Sequence, residues 1–174
     1  MKKAIFFDRD GVINYRIVKD YVKKIEEFHF IPDFLDFFSR IKDKDYLLIV
    51  ITNQQGVSKG IMTENDLSII FNFMQNELKN KFNRHFDDIF YCTDLSDSGS
   101  FYRKPNPGMI LEAQKKWNID LKNSWLIGDS PTDIIAGKKT ELKTILIGSY
   151  EKDEMPEADF IVKNFYELDN KIKL

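Results

Sequence analysis

The sequence predicts an α/β fold, a three-layer α/β/α sandwich around a central parallel sheet. Short apolar runs alternate with helical patterns along the whole chain, without an internal repeat or a low-complexity tract. The apolar runs are continuous rather than alternating, which is typical of strands covered by helices on both faces. Several runs also stop abruptly at polar residues, as expected where parallel strands reach a functional edge of a sheet.

Each strand is predicted from one of these runs. The first is AIFF, the second is YLLIVI, and the third is DIFYC, which is rich in β-branched and aromatic residues. The last three are shorter, and the sixth has only three residues. In chain order the predicted strands are Ala4–Phe7, Tyr46–Ile51, Asp88–Cys92, Ser124–Ile127, Thr144–Ile147 and Phe160–Val162.

The helices are predicted from capping residues followed by apolar positions at helical spacing. Pro32 is suited to the first turn of a helix, and Thr63 with Asp66 forms a capping-box-like start. A third helix opens at Pro107 and runs to Trp117. The remaining two are predicted from about Pro131 to Thr140 and after the cap residue Asn164.

A length of 174 residues with 43% hydrophobic content suits one domain, which we place at residues 1–174. Residues 12–30 lack a long helical pattern and are predicted to form a flap over the mouth of a site. Lys19, Lys23 and Lys24 lie in this flap, where they could meet an anionic substrate or simply be solvated surface lysines.

Composition disfavours several classes of function. A net charge of -2 gives no basic surface for nucleic acid, and no apolar run is long enough for a membrane span. The apolar run after the N-terminal lysines stops at Asp8, too short for a signal peptide. Cys92 is the one cysteine, so no internal disulfide can form, and we expect a cytoplasmic protein.

Two carboxylates, Asp8 and Asp10, directly follow the first strand, and Gly11 lets the backbone turn there. Carboxylates this close repel unless a cation neutralises them or one of them holds a proton. The pair therefore predicts Mg²⁺, which prefers oxygen ligands. A solvated acidic turn after the strand is the alternative, and these two residues alone do not decide between them.

Three later strand ends or nearby loops also carry reactive groups, and in a parallel sheet all of them can converge on one cleft. These groups are Thr52 and Asn53, Arg103 and Lys104, and Asp129 and Asp133. Taken singly, each has a simpler interpretation. Lys104 could be a surface residue, Asp129 a turn residue, and Asp133 an acid favoured by a helix dipole.

Together these groups suit phosphoryl transfer. Asp8 can attack phosphorus to form an aspartyl-phosphate, and Asp10 can give and take the protons. Thr52 and Asn53 can donate hydrogen bonds to phosphate oxygens, while Lys104 adds a fixed positive charge. A metal ion held by Asp8 and Asp129 would neutralise carboxylates and phosphate together. Besides Asp8 and Asp10, the predicted site therefore contains Thr52, Asn53, Lys104 and Asp129.

Four segments resemble the motifs of the haloacid dehalogenase superfamily of phosphohydrolases over nearly the whole chain. They are FFDRDGVIN from Phe6, ITNQQGV from Ile51, the segment around Lys104, and GDSPTDI from Gly128. The resemblance implies Asp8 as nucleophile, Asp10 as general acid/base, and Thr52 and Lys104 on the phosphate. It implies metal ligation by Asp8, Asp129 and the backbone carbonyl of Asp10, with Asp133 as possible support.

Within that superfamily the chain is most similar to the capless branch that holds D-glycero-D-manno-heptose 1,7-bisphosphate phosphatases and histidinol phosphatases. DRDGVIN, TNQQGV with Gly60, and RKPNPGM from Arg103 carry this resemblance. It implies that Arg103 contacts the substrate and that Gln54 and Gln55 lie near it. The motifs are too close together for a large cap domain.

Two positions depart from that branch. Many members carry a zinc loop of Cys and His before the RKP motif, whereas residues 92–102 here have one Cys and no His, so zinc is not expected. Ser130 stands where the heptose enzymes often have Lys. Both departures bear on the choice of substrate rather than on the chemistry.

The leading hypothesis is a monomeric Mg²⁺-dependent phosphatase acting on a small sugar phosphate, first of all heptose 1,7-bisphosphate. Histidinol phosphate is the alternative substrate, and the acidic net charge disfavours a polynucleotide 3′-phosphatase. A signalling receiver domain would need its acceptor Asp on a later strand end, where this chain has Thr52 and Asn53. An inactive phosphate-binding module is disfavoured because every motif residue is present.

Overall fold

The computed structural model describes residues 1–171 and confirms the three-layer sandwich. All six strands are parallel, in the spatial order β3-β2-β1-β4-β5-β6. The chain builds outward from β1 on one side and then returns to β4 on the other. The crevice between the carboxyl ends of β1 and β4 is therefore the switch point where open α/β sheets bind ligands. The strands are β1 (Ala4–Phe7), β2 (Leu47–Asn53), β3 (Asp88–Cys92), β4 (Trp125–Gly128), β5 (Lys143–Ile147) and β6 (Phe160–Val162).

Five helices cover the two faces of this sheet. On one face lie α1 (Pro32–Ile41), α2 (Glu64–Phe82) and α5 (Phe165–Lys171), and on the other lie α3 (Gly108–Trp117) and α4 (Pro131–Lys139). The predicted capping box of α2 is present, with the Thr63 side chain accepting from the Asp66 amide at 3.1 Å. No helix within residues 1–171 has the length and apolarity needed to cross a membrane.

Aromatic packing on one face of the sheet holds the end of β1 in place. The Phe7 ring lies 5.9 Å from Phe34 and 5.7 Å from Phe86 in edge-on contacts, and all three residues are buried. Edge-on aromatic pairs add about 0.5–1.5 kcal/mol each beyond their buried area. Because Phe7 is the residue before Asp8, this cluster also fixes the point from which the first carboxylate projects.

The segment 12–30 runs past the carboxyl edge of the sheet and includes a short 3₁₀ helix at Ile25–Glu27. Its two ends pack into the core, since Val12, Ile13 and Phe28 are buried. Only residues 16–22 line the cavity described below. Of the three lysines, Lys19 lines that cavity, whereas Lys23 pairs with Asp20 and Lys24 lies 4.0 Å from Glu27.

Candidate active site

A cavity of about 480 Å³ opens at the carboxyl edge of the sheet, above β1 and β2. Arg16, Lys19 and Lys59 add positive charge to its walls. A polar cavity rich in cations suits a small, strongly anionic ligand. Six of the residues predicted from the sequence line it: Asp8, Asp10, Thr52, Asn53, Arg103 and Lys104.

A larger cavity, about 600 Å³, lies on the other side of Asp129, near the ends of β5 and β6. Ile147 and Phe165 contribute to its walls, but Asp8 and Lys104 do not. Asp8, Asp10 and Lys104 line the smaller cavity, which we take as the candidate active site, and Asp129 lines the larger cavity beside it.

Lys104 forms the centre of a buried charge cluster. Its Nζ lies 2.9 Å from Asp8 Oδ1 and 2.6 Å from Asp133 Oδ1, and it donates to the Ile51 carbonyl at 2.9 Å. The lysine is only 3% exposed, so it is not a surface residue. Burial opposes its charge, but Asp133 and Asp8 outweigh burial and raise the pKa of Lys104.

Burial also dominates at Asp8 and raises its pKa to about 6, even though Lys104 favours the ionised form. Asp133 adds a further upward shift to that pKa through its negative charge. The Asp8 carboxylate accepts from the Arg9 amide at 2.8 Å, which fixes its orientation. A buried carboxylate with one attached cation and a free side toward the cavity is arranged as a nucleophile would be.

Asp133 serves two purposes at once. Its Oδ2 accepts from the Ser130 amide at 3.1 Å and from Ser130 Oγ at 2.8 Å, which completes a capping box at the start of α4. Its other oxygen faces Lys104. Gly128 permits this close approach, since a Cβ there would lie 2.2 Å from Asp133 Cβ.

The Asp10 carboxylate is tied by four hydrogen bonds. Arg9 Nη2 donates to both of its oxygens at 3.0 and 2.8 Å, and Asn14 and Gln54 each donate at 2.9 Å. Burial alone would raise the pKa of Asp10, but Arg9, Asn14 and Gln54 outweigh burial and lower it. Asp10 is therefore held ionised and fixed in place beside the cavity.

Arg9 and Asn14 are supporting residues that the sequence reasoning did not identify. Arg9 is fully buried, with its guanidinium 5.7 Å from the Phe71 ring. A charged residue between two aspartates normally indicates a solvated turn, so local polarity does not predict the burial of Arg9. Both Arg9 and Asn14 lie inside the DRDGVIN segment, and that position was the available signal for both.

The other predicted residues occupy different depths. Thr52 is 1% exposed, and its Oγ1 accepts from Gln54 Nε2 at 2.8 Å. Asn53 bonds the backbone of Lys104 through both ends of its amide, at 3.0 and 3.1 Å.

Gln54 differs from the expected substrate contact, because it is buried behind Asp10 and Thr52 and does not line the cavity. Arg103 lines the cavity and donates to the Asp94 carbonyl at 2.9 Å.

Asp129 follows β4 and faces Asp8 across the switch point. One ligand oxygen each of Asp8, Asp129 and Asp133 lie within 4.8 Å of one another. Burial and the charge of Asp8 raise the pKa of Asp129 to about 7, although Arg16 favours its ionised form. Gly11, at φ +93°, is required here because a Cβ would lie 1.9 Å from Asp129 Oδ2.

These residues fit a magnesium ion. Carboxylate and carbonyl oxygens are the ligands that Mg²⁺ prefers, and Asp8, Asp129 and the Asp10 carbonyl supply them. Two of these three groups already contact a cation, since Arg16 Nη2 lies 2.8 Å from Asp129 Oδ1 and 3.2 Å from the Asp10 carbonyl. Asp133 already bonds Lys104 and Ser130, so we assign it a supporting role in the cluster rather than metal ligation.

Comparisons with known proteins agree with this geometry. A family model described as HAD-hydrolase-like matches residues 101–168. A D-glycero-alpha-D-manno-heptose-1,7-bisphosphate 7-phosphatase from Campylobacter jejuni is 38% identical, over 98% of this chain and 96% of its own length. The corresponding beta-heptose enzyme from Pasteurella multocida is 34% identical, over 99% of this chain and 98% of its own length.

Among solved structures, the D,D-heptose 1,7-bisphosphate phosphatase from B. bronchiseptica, complexed with magnesium and phosphate, superimposes with a TM-score of 0.86. It is 26% identical, and the match covers 97% of both chains. With relatives this similar over nearly its full length, the chain belongs to the haloacid dehalogenase-like (HAD-like) family of phosphatases.

Proposed function

We propose that this phosphatase removes the 7-phosphate of D-glycero-D-manno-heptose 1,7-bisphosphate through an aspartyl-phosphate on Asp8. The observation that carries the proposal is the buried cluster of Asp8, Lys104 and Asp133 beside a cation-lined cavity. Relatives that are 33–38% identical over nearly the whole chain are named 7-phosphatases of this sugar bisphosphate. These relatives include 7-phosphatases of both the alpha and the beta anomer, so the choice of anomer is left to experiment.

In the proposed reaction an Asp8 oxygen attacks phosphorus, and the bond from phosphorus to the sugar oxygen breaks. Asp10, ionised in the ligand-free site, first takes up a proton as the anionic substrate binds, and it gives that proton to the leaving oxygen. It later takes a proton from the water that attacks the aspartyl-phosphate. The products are heptose 1-phosphate and inorganic phosphate. Lys104 holds positive charge beside Asp8, and Thr52 offers its hydroxyl to the phosphate.

We propose Mg²⁺ as the cofactor, held by Asp8, Asp129 and the Asp10 carbonyl. When bound, it would offset the negative charge of these carboxylates and of the substrate phosphate. We propose no zinc site in residues 92–102, since the one cysteine there bonds Asp94 at 3.4 Å and lies 3.8 Å from Ser100 Oγ. Because one chain supplies all these groups, we also propose that a cytoplasmic monomer is active.

The test is Mg²⁺-dependent phosphate release from a panel of substrates. The panel holds both anomers of heptose 1,7-bisphosphate, histidinol phosphate and simple sugar phosphates. We expect kcat/KM to be highest for one heptose bisphosphate anomer, with phosphate lost from C7 and not from C1. Asp8→Asn should lower that rate by roughly 10⁴-fold or more, by analogy with the loss of other nucleophiles. Circular dichroism of the variant checks that its fold is intact.

Each alternative result has a defined meaning. Preference for histidinol phosphate would replace the substrate and keep the chemistry. Weak and equal activity across the panel would keep a phosphatase but contradict the heptose assignment. Full activity of Asp8→Asn would contradict the proposed nucleophile.

A further inference from the structure

Arg16 contacts two of the oxygens to which the proposed function assigns a metal ion. Its Nη2 donates to Asp129 Oδ1 at 2.8 Å and to the Asp10 carbonyl at 3.2 Å. The two side chains differ in burial, since that of Arg16 is 50% exposed and that of Asp129 is 14% exposed. A cation on a long and half-exposed side chain thus occupies ligands that a divalent ion also needs.

The backbone of the segment that carries Arg16 is held by hydrogen bonds of its own, whereas the Arg16 side chain is held only by its contacts to Asp129 and Asp10. Tyr15 N donates to the His29 carbonyl at 2.9 Å, and the buried Asn14 side chain donates to the Tyr15 carbonyl at 3.0 Å. Arg16 makes no other polar contact among those described for residues 1–171. The guanidinium can therefore leave Asp129 and remain in the cavity, which it also lines, without any change in the core.

We propose that Arg16 competes with the divalent cation for the Asp129 carboxylate and the Asp10 carbonyl, and so sets the metal affinity of this site. The inference rests on the metal dependence in the proposed function and adds a residue that tunes it. If the metal binds only when Arg16 is released, its apparent affinity is its intrinsic affinity multiplied by the fraction of protein in the released state. A half-exposed ion pair shifts the equilibrium between bound and released Arg16 about two- to fivefold.

The experiment measures binding of Mg²⁺ alone by isothermal titration calorimetry, without substrate. We compare wild type with Arg16→Gln, which removes the competing cation. Lys19→Gln is the matched control, because Lys19 lies in the same segment, lines the same cavity, and has no described bond to Asp129 or Asp10. We expect Arg16→Gln to bind Mg²⁺ about two- to fivefold more tightly, and Lys19→Gln to match wild type.

Thermal unfolding supplies an independent readout. Removing Arg16 should lower the unfolding temperature of the metal-free protein, because the Asp129 carboxylate then lacks its partner. At saturating Mg²⁺ the two proteins should unfold at the same temperature. The Mg²⁺-induced rise in unfolding temperature should thus be larger in Arg16→Gln than in wild type.

Three results would overturn the inference. Equal or weaker Mg²⁺ binding by Arg16→Gln, with Mg²⁺-dependent turnover intact, would overturn it and leave the proposed function standing. An equal gain in Lys19→Gln would show that general positive charge, not the contact to Asp129, weakens metal binding. If wild type bound no Mg²⁺ and turned over substrate without it, both this inference and the metal-dependent function would fail.

Discussion

At the scale of single residues, the charge balance around Asp8 depends on Lys104. This lysine is the cation shared by two buried carboxylates, Asp8 and Asp133, and its side chain is only 2% exposed. Removing one partner of a buried ion pair leaves an uncompensated charge, whereas removing a surface pair costs little. Lys104 should therefore matter for stability as well as for catalysis.

We predict that Lys104→Met lowers the free energy of unfolding at pH 8 by about 3–5 kcal/mol, because two carboxylates are then left facing each other. At pH 5 the loss should be smaller. Burial already raises the pKa of Asp8 to about 6, and without Lys104 this carboxyl takes up a proton more readily. Urea denaturation at both pH values measures the effect.

Lys116→Met is the control for this prediction. Lys116 pairs with Asp88 at 2.8 Å, but its side chain is 57% exposed. Its loss should cost less than about 1 kcal/mol. A Lys104→Met protein as stable as wild type at pH 8 would contradict the assignment of a charge-balancing role to Lys104.

At the scale of elements, the loop between β3 and Arg103 orders the cavity wall through its own hydrogen bonds. Ser100 Oγ accepts from the Tyr102 amide at 3.2 Å, and the Ser100 carbonyl accepts from Asn106 at 2.9 Å. Arg103 in turn donates to the Asp94 carbonyl. Ser100 is thus a central hydrogen-bonding residue of the loop that presents Arg103 to the cavity.

We predict that Ser100→Ala raises KM about two- to tenfold and changes kcat little, since removing the Ser100 hydroxyl weakens the positioning of Arg103 rather than the chemistry. That hydroxyl accepts from the Tyr102 amide and lies 3.8 Å from Cys92 Sγ. Steady-state kinetics with the preferred substrate measure both constants. Ser39→Ala serves as control, because Ser39 bonds the Asp36 carbonyl on the exposed surface of α1. An equal fall in kcat and kcat/KM would point instead to a role in the transition state.

The elements themselves were largely predictable from the sequence. Buried apolar runs marked the strands, since the predicted bounds of β1, β3 and β6 match the observed ones and those of the other three strands differ by one or two residues. The main difference is at β2, which extends to Asn53 because Thr52 and Asn53 still pair with Tyr91 and Cys92 of β3. Polar side chains hid this extension, since strand pairing depends on backbone groups that the sequence pattern does not report.

The site was most directly predictable where a residue follows a strand. Asp8 and Asp129 were placed correctly at the switch point for this reason. Lys104, which lies in a loop, was predicted from the RKPNPGM segment and its positive charge.

Arg16 and Gln54 depend on tertiary placement instead. The Arg16 side chain reaches Asp129 only when the segment after β1 meets the end of β4, and the Gln54 side chain reaches Asp10 only when the end of β2 lies beside β1. Arg9 bonds its sequence neighbour Asp10, and only its burial depends on the fold.

At the scale of the whole molecule, the site exists only when the sheet is assembled. Asp8 follows β1, Thr52 ends β2, and Asp129 follows β4, so the groups come from three strands of the order β2-β1-β4. A metal bound by Asp8 and Asp129 binds the folded chain and not the unfolded one. Metal binding should therefore raise global stability.

We predict that this stabilisation grows with pH. A carboxyl with a pKa raised above its unfolded value favours folding at low pH, and that contribution is lost as pH rises through the folded pKa. This pH window runs from about 4 to about 6 for Asp8, and from about 4 to about 7 for Asp129. Mg²⁺ requires the ionised carboxylates, so the Mg²⁺-induced rise in unfolding temperature should be larger at pH 8 than at pH 5.5.

Thermal unfolding with and without Mg²⁺ at the two pH values checks this prediction. Asp129→Asn is the comparison, since it removes one of the two titrating ligands, and it should lose most of the Mg²⁺-induced rise at pH 8. A rise of equal size at both pH values would contradict metal binding through carboxyls with raised pKa.

The central claim, that Asp8 carries the phosphoryl group, is tested most directly by trapping the intermediate. Wild type and Asp10→Asn are mixed with substrate and Mg²⁺, quenched in acid during turnover, digested and analysed by mass spectrometry. We predict a peptide heavier by one phosphoryl group, with the modification on Asp8, in wild type during turnover. In Asp10→Asn both the formation and the hydrolysis of this peptide should slow, because Asp10 gives the leaving oxygen its proton and later takes one from water. Phosphate release by wild type with no phosphorylated peptide in either protein, or a phosphoryl group on another residue, would contradict the central claim.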